Sequence, residues 1–282
     1  MIQQNKMTTA AAVSFLRNDT RYADLIRDSY LDQDVLAAAQ RFYESAEFRE
    51  VCQLLGGQVR GARILDLGAG TGIASYAFAR AGAHVYSLEP DDSDVGRGAI
   101  SQIVGGMPVE LLDAFGEAIP LPDQSLDIIY GRQVLHHTTD LNKVMLECAR
   151  VLKPAGMILM CREHVVDDEH QLNQFLHEHP VHQLAGGEHA YSLDMYQQAI
   201  TGAGFKLTKV LGPWDSIINA FPKARSNEEL SRLPEQVLAE RFSHLATLIR
   251  FIPGIHSLTW RRIRAHREPG RLYSFLASNR KP

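Results

Sequence analysis

Cysteine is scarce in this chain of 282 residues: Cys52, Cys148 and Cys161 stand apart, odd in number, with no Cys-x-x-Cys pair among them. That usage speaks against a disulfide framework and against a cysteine zinc site. Long apolar runs are also missing. No stretch approaches the roughly 18 apolar residues of a membrane span, and the N-terminal segment has no uninterrupted apolar core of the kind a signal peptide carries. The expectation is a cytoplasmic protein. An excess of positive charge is lacking too: Lys+Arg number 29 against Asp+Glu 33, a net charge of −4. No nucleic-acid partner is expected from such a balance. Internal repeats and low-complexity runs are absent. What is present is a globular composition, 45% hydrophobic and 22% charged. A chain of this length buries roughly three quarters of its extended surface and supports one large core.

Three regions follow from the pattern. Residues 1–60 read as a helical N-terminal extension or lid. Within 34–55, Val35, Ala39, Phe42 and Ala46 recur at helical spacing, and Gly56-Gly57 ends the run. Residues 61–164 alternate short apolar runs with helical patterns. Strands are expected at 63–67, 84–88, 109–112, 126–130 and 157–161, and helices at 73–81, 94–104 and 141–152. Alternation of this kind implies a parallel sheet with crossover helices. Residues 165–282 supply two late strands, 205–211 and 271–277. About 60 residues lie between them, too many for a bare loop, so a helical cap insertion is expected there, with helical pattern at 234–251.

The strongest signal is Ile64-Leu65-Asp66-Leu67-Gly68-Ala69-Gly70-Thr71-Gly72, an apolar strand running through three glycines into a helix. Glycine permits a tight turn and lets a ligand approach the backbone, and the helix start offers free N–H groups. Glu89 ends the next strand, where a carboxylate can accept both hydroxyls of a ribose. Asp113 ends the third, where a carboxylate can accept from an adenine amino group. All three ends lie on the carboxyl edge of the sheet, the ligand-binding edge of open α/β folds. A dinucleotide fingerprint would need glycine at position 73, which is Ile73.

These residues, ILDLGAGTG at 64–72, VYSLEP at 85–90, the run 113–137 ending in Leu135-His136-His137, and ECARVLKPAGMILM at 147–160, come in one order over about 100 residues. In that order and spacing the chain resembles the class I S-adenosylmethionine-dependent methyltransferases, of the small-molecule type with a methyltransferase type 11-like domain. The resemblance implies an α/β fold: a Rossmann-like, seven-stranded, mostly parallel sheet with helices on both faces and the last strand antiparallel. It implies S-adenosyl-L-methionine as cofactor and S-adenosyl-L-homocysteine as product. Asp66, Gly68, Ala69 and Gly70 would line the methionine end of the cofactor, Glu89 would hold the ribose, and Asp113 with Ala114 would flank the adenine. Arg132 would sit by the methionine moiety, on its carboxylate.

The acceptor side is read from two strand ends. His136 and His137 follow the fourth strand, and Arg162-Glu163-His164 follow the fifth. Methyl transfer needs in-line alignment and, where the nucleophile carries a proton, a base with pKa near neutrality. His164, oriented by Glu163, and His136 are the candidate catalytic residues. Neighbours on a regular strand point to opposite faces, so Glu163 and His164 can meet only if the strand has ended by Arg162. Arg162 is expected on an acidic or hydroxyl-rich acceptor or paired with Glu163, with His182, His189 and Tyr191 closing over it from a polar lid at 171–191. No metal is expected. His177 and His179 would point about 200° apart on a helix, and Pro180 breaks the helix that His179 and His182 would share.

Between 241 and 267 six arginines interleave with apolar residues and no acid. Such a stretch can touch an anionic membrane, although Pro253-Gly254 divides it. The leading expectation is methyl transfer to oxygen or nitrogen of a small polar metabolite or glycan-like acceptor. A methyltransferase working on a lipid at a membrane face, and a non-catalytic cofactor-binding module, are the alternatives. Nothing in the sequence sets the oligomeric state.

Overall fold

The structure is a computed structural model that describes residues 6–242 and 254–279. Seven strands form one sheet: β1 (Arg63–Leu67), β2 (His84–Leu88), β3 (Val109–Leu112), β4 (Leu126–Arg132), β5 (Leu152–Val165), β6 (Phe205–Leu211) and β7 (Arg271–Asn279). Their order is β3-β2-β1-β4-β5-β7-β6. β1 to β5 are mutually parallel, and β7 runs antiparallel to both β5 and β6. The order reverses between β1 and β4, so the crevice at their carboxyl ends is the ligand position of an open sheet.

Helices cover both faces. On one lie α3 (Val35–Glu44), α4 (Ala46–Leu54), α5 (Ile73–Arg80), α6 (Arg97–Ile103) and the short α11 (Ile217–Ala220), meeting the sheet through Phe42, Phe48, Phe78, Ile100 and Ile218. On the other lie α7 (Leu141–Val151) and α10 (Leu193–Gly202), which bury Val144, Met145, Cys148, Tyr196 and Ile200 against Leu65, Ile129 and Ile158. Phe78 packs edge-on against Tyr130 at 5.1 Å between centroids, and both are fully buried. Each such ring contributes about 1.5–3 kcal/mol by leaving water.

The segment 34–55 forms two helices rather than one. Ser45 is extended and divides them. It closes α3, and its Oγ accepts the Phe48 N–H at 3.0 Å as the cap of α4. α1 (Thr9–Arg17) and α2 (Ala23–Asp28) precede this pair. The remaining helices are α8 (Glu169–Glu178), α9 (Pro180–Leu184), α12 (Asn227–Phe242) and α13 (Ile255–Ala265). α11, α12 and α13 are the expected insertion between β6 and β7, though 243–253 of the basic stretch lies outside the described residues. In the part described, Arg264 pairs with Asp215 at 3.2 Å and lies over Trp260. Among the described residues no helix is long and apolar enough to cross a membrane.

β5 departs furthest from expectation. It runs from Leu152 to Val165, not from 157 to 161. Its pairing with β7 slips between Met160 and Glu163, where Arg162 adopts φ +61°. Two residues of β5, Cys161 and Arg162, oppose one of β7, Ser274, which is a bulge. The strand therefore has not ended by Arg162, and the condition for a Glu163–His164 pair is not met.

Candidate active site

The glycine loop sits at the mouth of the β1–β4 crevice. Gly68 has φ +64°, and a Cβ there would lie 2.3 Å from Val134 Cγ2, so only glycine fits against the turn after β4. Gly70 has φ +52°, and a Cβ on it would meet nothing within 4 Å. The loop thus packs on the protein at Gly68 and faces open space at Gly70. Glu89, at the end of β2, accepts the Gly70 N–H at 2.8 Å through Oε2 and the Asp91 N–H at 3.0 Å through Oε1. Burial raises its pKa against those two donors. Each oxygen keeps acceptor capacity for a further donor.

Asp66 lies beneath the loop, 2% exposed, and accepts the Ser75 hydroxyl at 2.6 Å. Burial pushes its carboxyl up to about 7. Asp113 is exposed after β3 and is held by Arg97, whose Nη1 reaches its Oδ1 at 2.6 Å and also the carbonyls of Glu89 and Pro90. Arg97 was not singled out in the sequence, and it is what ties the second acidic residue to the third. Ala114 and the exposed Phe115 continue from Asp113 along the same rim.

The two arginines expected on ligands have protein partners. Arg132 Nε donates to Glu47 Oε1 of α4 at 2.8 Å, and its guanidinium lies over the Tyr30 and Phe42 rings. Glu47 is 1% exposed. The pair fastens the N-terminal helices to the carboxyl end of β4 rather than leaving Arg132 free for a cofactor carboxylate. Arg162 turns its Nη1 to the carbonyls of Ile218 and Phe221 at 2.5 and 2.9 Å, not to Glu163. Burial pushes Arg162 down to about 10.

Glu163 is fully buried and serves the loop after β4. Its Oε1 accepts the N–H groups of Val134 and Leu135 at 3.1 and 3.2 Å. Its Oε2 accepts the His136 N–H at 3.2 Å and meets His136 Nδ1 at 2.7 Å. The residue that Glu163 orients is therefore His136, not His164. The bulge brings this about, because the extra residue resets the alternation and turns Glu163 toward the face of α7 and α10 that Val165 also joins. His164 is held instead by the Gly270 carbonyl at 2.8 Å from Nδ1. Its ring lies 4.7 Å from that of His136. Both imidazoles are pushed well below their ordinary pKa, mainly by burial.

The residues expected to form a lid meet this edge through Glu188 and Tyr191. A helix break at His179 separates α8 from α9, with Pro180 opening the second helix. Gly186 and Gly187, at φ +76° and +83°, then reverse the chain and bring Glu188 to His136 and His137. His189 packs on Tyr191 at 4.6 Å, and Tyr191 donates its hydroxyl to the Thr138 carbonyl at 2.9 Å. His182 keeps a buried Nδ1 with no partner among the described residues. The Met7 N–H donates to the Leu184 carbonyl at 3.0 Å, so the N-terminal segment meets the 171–191 segment. Beside β5 and the start of β7 a cavity of about 230 Å³ is lined by Arg162, His164, Trp214, Phe221, Lys223 and Arg271, among others.

Residues 65–160 match the family model described as a methyltransferase domain. A ubiquinone biosynthesis O-methyltransferase of Rhizobium etli (strain CIAT 652) is 26% identical over 158 residues, which are 55% of this chain and 64% of that relative. The chain thus spans somewhat under two thirds of the relative's length. The fold is shared with an S-adenosylmethionine-dependent methyltransferase of Mesorhizobium loti, with a TM-score of 0.56 and 17% identity over 84% of this chain and all of the other. It is shared equally with phosphoethanolamine N-methyltransferase 2 of Haemonchus contortus in complex with S-adenosyl-L-methionine, with a TM-score of 0.57 and 17% identity over 96% of this chain and 60% of the other.

Proposed function

We propose that the chain, whose residues 65–160 match a methyltransferase-domain model, transfers the methyl group of S-adenosyl-L-methionine to an oxygen, or a nitrogen, of a small-molecule acceptor. The observation that carries the reading is the geometry at Glu89. Its carboxylate bridges the N–H groups of Gly70 and Asp91 beside the open face of Gly70, at the point where the strand order reverses. A ligand that offers a diol to Glu89 and a charged tail to the glycine loop fits this edge. Asp66, Gly68, Ala69 and Gly70 serve the methionine end, Glu89 the ribose, and Asp113 with Ala114 the adenine. The cofactor supplies the electrophilic methyl carbon, and the protein supplies alignment and exclusion of water.

The acceptor enters beside β5 in this reading. His164 donates from Nδ1 to the Gly270 carbonyl, which leaves Nε2 as the proton acceptor next to the cavity. Bound S-adenosyl-L-methionine would give up its methyl group to the acceptor oxygen and become S-adenosyl-L-homocysteine, and the His164 imidazole would take the hydroxyl proton. The relative named as an O-methyltransferase favours oxygen as the nucleophile. We further propose that residues 1–60 and the 171–191 segment act as the lid, joined to each other through the Met7–Leu184 contact, with the N-terminal helices fastened to β4 through the Arg132–Glu47 pair.

Calorimetric titration tests the reading. S-adenosyl-L-homocysteine is expected to bind with one site per chain, and Glu89→Ala to weaken it by about 1–3 kcal/mol, the cost of leaving polar partners unmet. Binding of NAD without binding of S-adenosyl-L-homocysteine would overturn it.

A further inference from the structure

Glu188 is surrounded by imidazoles that it does not hydrogen-bond. Its side chain is 10% exposed, and its Oε2 stands 3.7 Å from His136 Nε2 and 3.8 Å from His137 Nε2. At those separations no hydrogen bond exists. Glu188 makes none with any described residue. One ligand atom from each of His136, His137 and Glu188 falls within 4.8 Å of the others. Two neutral donors and a carboxylate have thus been drawn together around a gap and left without partners on their facing atoms.

The two Glu188 separations are close to those of a cation site. In a tetrahedral site with bonds of about 2.0–2.1 Å, donor atoms lie about 3.4 Å apart. A contraction of a few tenths of an ångström brings Glu188 to that spacing from both histidines. The backbone is already built for it. His136 and His137 are set side by side by a single 3₁₀ turn, Leu135–His137, with ring centroids 4.2 Å apart. Glu188 is delivered by the left-handed pair Gly186-Gly187.

A second, independent observation fixes the histidine tautomer. His136 Nδ1 is taken by the Glu163 carboxylate at 2.7 Å. The proton therefore resides on Nδ1, and the lone pair is on Nε2, the atom that faces Glu188. A carboxylate behind a ligating imidazole is the usual outer partner of a metal-bound histidine. Charge also matches: a dication would sit beside two acidic side chains, Glu163 and Glu188. His179 approaches Glu188 at 4.0 Å, but its Nδ1 already accepts the His182 N–H. It is therefore not counted as a ligand.

We propose that His136, His137 and Glu188 bind a divalent transition-metal ion of the zinc class, with Glu163 as the positioning residue behind His136. Two histidines and a carboxylate leave one coordination position open, the arrangement of sites that take an oxygen ligand rather than of closed structural sites. The His136 ring lies 4.7 Å from that of His164, which lines the 230 Å³ cavity, so the site adjoins the acceptor side of the proposed reaction.

The test uses the full chain, stripped with EDTA and desalted, and then titrated with Co²⁺ and in competition with Zn²⁺. One equivalent of Co²⁺ with visible d–d absorption is expected, displaced by Zn²⁺. His137→Ala is the deciding variant, because that side chain is 45% exposed and its loss leaves the fold in place. It should weaken Zn²⁺ at least tenfold. Glu188→Gln should do the same, and Glu163→Gln should weaken Zn²⁺ about 10–100-fold through the tautomer. His170→Ala, on the exposed side of α8, should change nothing. Failure to bind Co²⁺, or unchanged affinity in His137→Ala, overturns the site while leaving the binding of S-adenosyl-L-homocysteine unaffected.

Discussion

Replacing Glu163 by glutamine changes one oxygen into an NH₂ group at a place where four donors converge. In the structure the two carboxylate oxygens accept the N–H groups of Val134, Leu135 and His136, and His136 Nδ1 besides, with no solvent to substitute for any of them. A carboxamide has one acceptor oxygen, which can serve two of the four. The amide nitrogen would face the other two with hydrogens of its own. One of these, His136, can adapt by moving its proton to Nε2 and accepting at Nδ1. The remaining backbone N–H cannot adapt. A buried donor left unmet costs about 1–3 kcal/mol, and the unfavourable tautomer adds about 1 kcal/mol, so Glu163→Gln should destabilise the protein by about 2–4 kcal/mol. For a chain of this size that corresponds to a drop of about 4–16 °C in Tm. Thermal melting followed by circular dichroism reads the stability, and ¹⁵N chemical shifts of the His136 ring read the tautomer. An unchanged Tm together with a proton still on Nδ1 would refute the network as drawn.

Two further outcomes follow from buried charge. Asp66 keeps its proton up to a pH of about 7 in the folded chain and to about 3.8 when unfolded, because burial disfavours the carboxylate. The native state thus holds a proton the unfolded state has lost, so this stability is complete below about pH 4 and is lost as pH rises through 7. The swing amounts to about 4 kcal/mol, and Asp66→Asn should remove it, as urea midpoints at pH 5 and pH 8 will show. Glu47→Ala leaves Arg132 buried and unpaired, which should cost about 3–5 kcal/mol; Glu47→Ala with Arg132→Met should recover most of that loss in the same denaturation assay, and no recovery would mean that the pair is not the source.

How far the sequence was legible depends on whether a feature is set locally or across the fold. Six of the seven strands were placed to within two residues at each end, because apolar runs of β-branched and aromatic residues bounded by glycine and acidic residues have few other structures open to them. The glycine loop, Glu89 and Asp113 were readable for the same reason: each directly follows a strand, and a parallel sheet collects all such positions at one edge. β5 was read too short at both ends. Pro154-Ala155-Gly156 looks like a turn, yet the strand continues past it: pairing with β4 jumps from Leu152 to Met157, with Ala155 at φ +62° between them. At the other end an arginine takes up a left-handed conformation, and nothing in its side chain announces that.

Partner choice was the part that stayed hidden, and β5 shows why it carries consequences. Topology alone brings His136 and His164 to the same edge and places one glutamate between them. Which histidine the glutamate holds is decided by a single extra residue at Arg162, since a shift of one reverses every side chain beyond it. Without the bulge, Glu163 would leave the loop after β4, and the N–H groups of Val134 to His136 would lose their acceptor. The bulge is therefore coupled to the conformation of that loop, and through it to the lone pair His136 turns toward Glu188. A similar indirectness governs Arg132, whose partner Glu47 lies 85 residues away on a helix that no local pattern ties to β4. Strand ends tell which groups can meet. The backbone irregularities between them decide which ones do.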